Sequence, residues 1–196
     1  MITPSNTNRL FPVFLKLETL NLLLIGGGFV ALEKLTALLN NAPATNIRVI
    51  AKEFSEEFVA FALPYQQVTL IERTFEEVDL NDVDLVITAL NDVATSRQIF
   101  ELAHHHKILI NSADKPELCD FYLGSVVQKG NLKIAISTNG KSPTLAKRLK
   151  ELLQHIIPDE IEDTLENLHA VREQLRGDIQ SKIKYLNELT KGLIKR

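Results

Sequence analysis

A single cysteine, Cys119, stands in a chain of 196 residues, so no internal disulfide can form and a reducing compartment is expected. No apolar run approaches the ~20 residues that a bilayer-spanning helix needs. The amino-terminal stretch MITPSNTNRLFPVF has no basic segment followed by a long apolar one, which excludes a secretory leader on this reading. A large excess of one charge sign is also lacking: the net charge is −3, which argues against bulk nucleic-acid binding. Internal repeats and low-complexity tracts are missing. What is present is 45% apolar and 24% charged residues, the balance of a globular protein able to bury its own core. The expectation is a cytoplasmic protein that touches neither membrane nor nucleic acid.

Residues 21–111 alternate strand-like and helix-like segments. Leu22–Ile25, Ile47–Ala51, Val68–Ile71, Leu85–Ala89 and Ile108–Ile110 are short, nearly all-apolar runs of strand length. Val30–Asn40 places Val30, Leu35, Leu38 and Leu39 near one helical face, and Thr95–His105 also reads as a helix. Such runs separated by helices predict an α/β fold, a Rossmann-like doubly wound parallel sheet covered on both faces. After Asn111 the pattern changes. Phe121–Gln128 and Leu132–Thr138, joined by Lys129-Gly130-Asn131, predict a β-hairpin. Ser142-Pro143 offers an N-cap and a first-turn proline for a helix over Thr144–Ile157. From Asp159 apolar residues recur at three- and four-residue steps from Ile161 to Leu193, an amphipathic helical region with a break at Gly177. The expected organisation is a dinucleotide-binding domain over 1–115, a dimerisation and substrate-binding segment over 116–150, and a helical region over 151–196.

Between the first strand and first helix stands Gly26-Gly27-Gly28-Phe29-Val30-Ala31, a G-x-G-x-x-A pattern. Its chemistry needs that spacing. The first glycine makes the turn, the next lets backbone N–H groups approach a pyrophosphate, and the small Ala31 lets the helix sit close to the sheet. A bare structural turn is the bland alternative, but the flanking strand and helix favour nucleotide binding. The second strand ends Ala51-Lys52-Glu53, with no acid at its tip, and Glu53 is the nearest carboxylate for the ribose. Lys52 would suit a 2′-phosphate, so NADP stays open, with NAD preferred. Thr88-Ala89-Leu90-Asn91-Asp92 ends the fourth strand, which puts Ala89 and Asn91 near the nicotinamide side of the crevice. Equally, Asn91-Asp92 caps the following helix.

The fifth strand runs into Asn111-Ser112-Ala113-Asp114, and a carboxylate at that end of a parallel strand suits general-base chemistry. A turn or cap role is the alternative for Asp114. The segment Lys129–Lys150 carries Lys129, Lys133, Lys141, Lys147, Arg148 and Lys150 and no acid, a local excess that attracts a polyanion. Its centre is Gly140-Lys141-Ser142-Pro143, where a helix N-terminus adds donors. A solvated helix face with hairpin tips explains it equally well. His104-His105-His106 are consecutive and cannot all converge on one metal from a helix, and they read as a solvent-facing helix end. Cys119 reads as a structural thiol.

Taken in order, FPVFLKL, LLLIGGGFVALEK, LVITALND and INSADKPELCDFYLGSVVQKGNLKIAISTNGKSPTLAKRLK resemble the precorrin-2 dehydrogenase/sirohydrochlorin ferrochelatase family, the dehydrogenase and chelatase module of siroheme synthase. The likeness runs over about residues 10–157, and its last motif is far more specific than the glycine loop. It implies NAD-dependent oxidation of precorrin-2 to sirohydrochlorin, with insertion of ferrous iron in many members. It also implies a homodimer that exchanges the segment after the Rossmann domain. The family's key acid falls on Asp114, which would also assist iron transiently, and its nucleotide contacts fall on Phe29, Val30, Lys52 and Glu53. A serine phosphorylated in some relatives aligns with Thr138, which joins Lys141 and Ser142 as a substrate-facing candidate. A polycarboxylate tetrapyrrole would account for the acid-free basic segment. Two alternatives remain at this point: a dehydrogenase with no chelatase activity, and a nucleotide-sensing module whose helical tail binds a partner.

Overall fold

The computed structural model describes residues 8–175 and 179–191. The chain divides into two compact units, one of residues up to 123 with 139–141, the other of residues 124–138 and from 142 onward. Gly177, Leu193 and the first seven residues of the leader reading lie outside the described residues.

In the first unit five parallel strands, β1 (Asn21–Ile25), β2 (Asn46–Ala51), β3 (Val68–Glu72), β4 (Leu85–Thr88) and β5 (Leu109–Ser112), form one sheet in the order β3-β2-β1-β4-β5. Period-two alternation splits each central strand between two cores. Leu22 and Leu24 of β1, Ile47 and Val49 of β2, and Leu85 and Ile87 of β4 point to one face. There they meet Ala31, Leu35, Leu38 and Leu39 of α1 (Phe29–Asn41) and Phe58 and Ala62 of α2 (Glu56–Ala62). Leu23, Ile25, Ile50, Val86 and Ile110 point to the other face, against Ile99 and Ala103 of α3 (Val93–His105). The strands are nearly all apolar because both faces are covered, as the sequence predicts.

Two details differ from the sequence reading. Ala31 rather than Val30 completes the buried face of α1, since Val30 is half-buried and Ala31 fully covered. The short helix α2 has no counterpart in the periodicity reading. Ser55 caps it by accepting a hydrogen bond from the Phe58 N–H at 3.2 Å, with Glu56 and Glu57 in its first turn.

The second unit holds an antiparallel hairpin, β6 (Ser125–Lys129) with β7 (Leu132–Ile136), turned at Gly130 with φ 54°. It also holds α4 (Pro143–Ile156), α5 (Ile161–Gln174) and α6 (Ile179–Thr190). The hairpin, the proline-led α4 and the later helices are where the sequence predicts them. Among the described residues, no helix is long and apolar enough to cross a membrane.

Candidate functional site

The sheet order reverses direction between β1 and β4, and in such sheets ligands lie at the carboxyl ends of the strands beside that switch point. The loop after β1 is pinned there by its neighbours. The Gly26 N–H donates to the Ile50 carbonyl at 2.9 Å, and the Ser55 N–H donates to the Gly27 carbonyl at 2.9 Å. Across the crevice, the Ala89 N–H donates to the Ile25 carbonyl at 2.8 Å.

The three glycines answer to different constraints. Gly26 has φ 136°, and a Cβ there would lie 2.6 Å from the Ala89 carbonyl oxygen. A Cβ on Gly27 would lie 2.3 Å from the Glu53 carbonyl oxygen and 2.8 Å from the Ala51 Cβ. Both glycines are demanded by the fold itself. Gly28 is not: its φ of −97° suits any residue, and a Cβ there meets nothing within 4 Å. The open space lies at the N-cap of α1, where unpaired N–H groups and the helix dipole favour an anion. A glycine that the chain does not require, facing an open helix N-terminus, fits a pyrophosphate cradle better than a turn. Phe29 beside it is 81% exposed, Val30 is half-buried, and Lys52 and Glu53 are exposed after β2.

On the β4 side Ala89 is half-buried and Asn91 exposed. Asp92 is the N-cap of α3, accepting from the Ala94 N–H at 2.9 Å and from the Thr95 hydroxyl. The Thr95 hydroxyl holds the Asp92 carboxyl below the usual range, aided by the Ala94 N–H and, more weakly, by the charge of Lys52. The capping alternative therefore describes Asp92.

Asp114 sits exposed just beyond β5, in the left-handed region at φ 60°, a conformation that aspartate tolerates better than most residues. The backbone around it is fixed from several sides. The Ala113 N–H donates to the Thr88 carbonyl at 2.8 Å, and the Thr88 hydroxyl donates to the Ser112 hydroxyl at 2.8 Å inside the protein. Lys115 escaped the sequence reading. Its ammonium donates to the Leu90 carbonyl at 2.7 Å and ties the loop after β5 to the loop after β4. Cys119 accepts from the Ser112 N–H at 3.2 Å, and burial pushes its thiol above the ordinary value, in keeping with a structural role.

The loop before α4 turns through Asn139 at φ 55° and Gly140 at φ 72°. Thr138 Oγ1 accepts from the Ser142 N–H at 3.2 Å, and Ser142 Oγ accepts from the Leu145 N–H at 3.2 Å as the cap of α4. Both hydroxyls are thus engaged within the loop, and Lys141 is exposed at its tip. The six-cation excess is smaller in the fold than in the sequence. Lys129 pairs with Asp159, and Arg148 pairs with Glu151 at 2.8 Å. Both acids lie outside the segment that the sequence count covers.

The histidines also separate. His104 Nε2 lies 2.9 Å from the Asp120 carboxylate, whereas His106 Nε2 lies 3.2 Å from Glu77.

Comparison with known proteins fits this geometry. Residues 13–125 match a family model described as "Putative NAD(P)-binding", and residues 129–155 match one described as "Sirohaem biosynthesis protein central". A siroheme synthase of Pseudoalteromonas translucida is 39% identical over 150 residues, covering 76% of this chain and 31% of that protein. The siroheme biosynthesis protein met8 of Schizosaccharomyces pombe is 38% identical over 155 residues, covering 79% of this chain and 58% of that protein. The chain thus spans about a third to somewhat over half the length of these relatives. The solved structure of SirC, a precorrin-2 dehydrogenase, superposes with a TM-score of 0.68 at 26% identity, covering 92% of this chain and 89% of that one. The chain carries an NAD(P)-binding Rossmann-like domain followed by a sirohaem-biosynthesis segment, and it belongs to the siroheme synthase family.

Proposed function

We propose that this protein oxidises precorrin-2 to sirohydrochlorin with NAD and also catalyses insertion of ferrous iron to give siroheme. One observation carries this reading: an NAD(P)-binding match and a sirohaem-biosynthesis match follow one another on a single chain. A sensor of nucleotide alone would have no use for the second. The residues that would hold the dinucleotide are Gly26, Gly27 and Gly28 with the N-terminus of α1 at Phe29 and Val30, Lys52 and Glu53 after β2, and Ala89 and Asn91 after β4. When bound, the nicotinamide supplies a hydride acceptor.

Asp114 is the proton acceptor in this scheme. Oxidation at carbon releases a proton with each hydride, and an exposed carboxylate on a fixed backbone can take it. Iron insertion requires pyrrole N–H protons to leave, and the same carboxylate can accept them while transiently meeting the metal. Lys141 supplies a cation, and Thr138 and Ser142 hold the loop that opens the N-terminus of α4, an arrangement suited to the carboxylates of the tetrapyrrole. The exposed apolar stripe of α4, Leu145, Leu149, Leu152 and Ile156, supports a homodimer. The lone half-buried thiol supports a reducing, cytoplasmic setting.

Asp114→Asn tests the assignment, because asparagine tolerates the same left-handed backbone while losing the proton-accepting charge. Followed by absorbance with precorrin-2 and NAD, and then with ferrous ion, the variant should lose chelation and retain about a hundredth or less of the dehydrogenation rate, since general-base catalysis contributes about 10²–10⁴. Full retention of both activities overturns the role. A spectral change in the first step only, in the unaltered protein, leaves a dehydrogenase without chelatase activity.

A further inference from the structure

Three consecutive histidines stand at the end of α3, His104 and His105 in its last turn and His106 as its C-cap, and the dehydrogenation scheme uses none of them. Their side chains do not share one fate. His104 turns to Asp120, while His105 and His106 come together with Glu77 so that one ligand atom from each of the three lies within 4.8 Å of the others. Glu77 belongs to the short 3-10 turn Glu77–Leu80, far from the histidines in sequence. That turn is firmly set. Glu76 and Asp79 cap it reciprocally, and Asp79 also receives two hydrogen bonds from the Arg73 guanidinium. Glu76 and Asp79 are therefore engaged by the cap and by Arg73, whereas Glu77 stands beside the imidazoles.

We propose that Glu77, His105 and His106 form a surface binding site for a late first-row divalent cation such as zinc or cobalt. Two imidazoles and one carboxylate suit these ions, whereas magnesium and calcium prefer oxygen ligands alone. The spacing also fits. Zinc–ligand bonds of about 2.0–2.1 Å put neighbouring ligand atoms on a tetrahedral ion about 3.3 Å apart. His106 Nε2 and Glu77 Oε1 already stand 3.2 Å apart. The His105 and His106 rings lie edge to face at 5.6 Å between centroids. All three residues are exposed, so a small side-chain rotation closes the set without repacking the core, and open positions remain for water. The site belongs to the amino-terminal ends of the strands, whereas the glycine loop lies at their carboxyl ends. α3 starts after the carboxyl end of β4 and ends at His105, its 13 residues spanning about 20 Å. The cation here is separate from any iron handled near Asp114.

Titration of the full, untagged chain with zinc by calorimetry should show saturable uptake of one ion per chain. Glu77→Gln and His105→Ala should each weaken it at least about tenfold, no less than the loss of a residue that only supports a ligand. With cobalt, visible absorption bands of a nitrogen-ligated ion should appear in the unaltered chain and fade in His105→Ala. Dehydrogenation of precorrin-2 should be unchanged in both variants, which separates failure of this site from failure of the Asp114 assignment. Absence of saturable uptake, or uptake that survives the Glu77→Gln and His105→Ala double variant unchanged, overturns the proposal.

Discussion

The two units of this chain bury their apolar residues to very different degrees. In the first, β1, β2 and β4 lie between two cores, and Leu23, Leu24, Val49, Ile50 and Val86 have no solvent exposure at all. In the second, Val127 and Ala146 are the only buried apolar residues among those described, and Val127 alone has no exposure. On α4, Leu145, Leu149, Leu152 and Ile156 are 52%, 37%, 54% and 58% exposed and recur at helical spacing along one side. A dinucleotide fold closes its own core. The hairpin and helices that follow form a surface that one chain leaves uncovered, and a second copy of the chain is the partner we propose for it.

The contrast can be broken most severely at Phe58. This ring is fully buried among α1, β1 and β2 residues, so Phe58→Ala should cost about 3–5 kcal/mol of unfolding free energy. Leu152→Ala in an isolated chain should cost at most about 0.5 kcal/mol, as surface changes do. If the stripe is a dimer contact, the Leu152→Ala loss is larger and grows on dilution. Replacing Leu145 and Leu152 together with aspartate should then convert a sedimenting dimer to a monomer. Unaltered sedimentation of that double variant would remove the dimer contact from α4.

Inside the first unit, the glycine loop offers a finer contrast between what the fold needs and what a ligand needs. Gly27→Ala drives a methyl group against the Glu53 carbonyl and the Ala51 side chain, an overpacking expected to cost about 1–3 kcal/mol. Gly28→Ala should leave the melting temperature nearly unchanged and weaken NAD affinity, because its Cβ enters open space at the α1 N-cap. Equal NAD affinity in Gly28→Ala and the unaltered chain would return the loop to a structural turn.

Much of this was legible in the sequence for a definite reason. The β-strands of a sheet covered on both faces are continuous apolar runs, and the glycine loop, hairpin turn and Ser142 cap are local signals read within a few residues. What escaped was short or distant. Helix α2 spans seven residues with only Phe58 and Ala62 fully buried, too few to establish a period, although Ser55 followed by Glu56 and Glu57 was a usable start signal. The Lys115 bond to the Leu90 carbonyl and the approach of Glu77 to His106 join residues 25 and 29 positions apart. The net excess of the basic segment shrinks in the fold because Asp159 returns from 30 positions away to Lys129, while Glu151, one residue past the segment, pairs with Arg148.

Ion pairs sharpen the comparison at its smallest scale. Arg148–Glu151 in the second unit is a solvent-exposed pair, and Glu151→Gln should leave stability unchanged within error. Arg73–Asp79 in the first unit is different, because the Asp79 side chain is only 6% exposed and also accepts the Glu76 N–H. The Arg73 guanidinium holds the Asp79 carboxyl below the usual range, and Asp79 in turn raises the Arg73 value. A carboxyl lowered in the folded state contributes stability that is fully present above its unfolded value of about 3.9 and is lost as pH falls through the folded value. Asp79→Asn should therefore lower the urea midpoint at pH 7 by less than Gly27→Ala does. The gap to the unaltered protein should stay constant down to about pH 5 and close progressively below about pH 4. A gap that persists undiminished at the most acid end of the folded range would mean that Asp79 acts through shape and neutral hydrogen bonds, leaving the charge pair without a role in the first unit's stability.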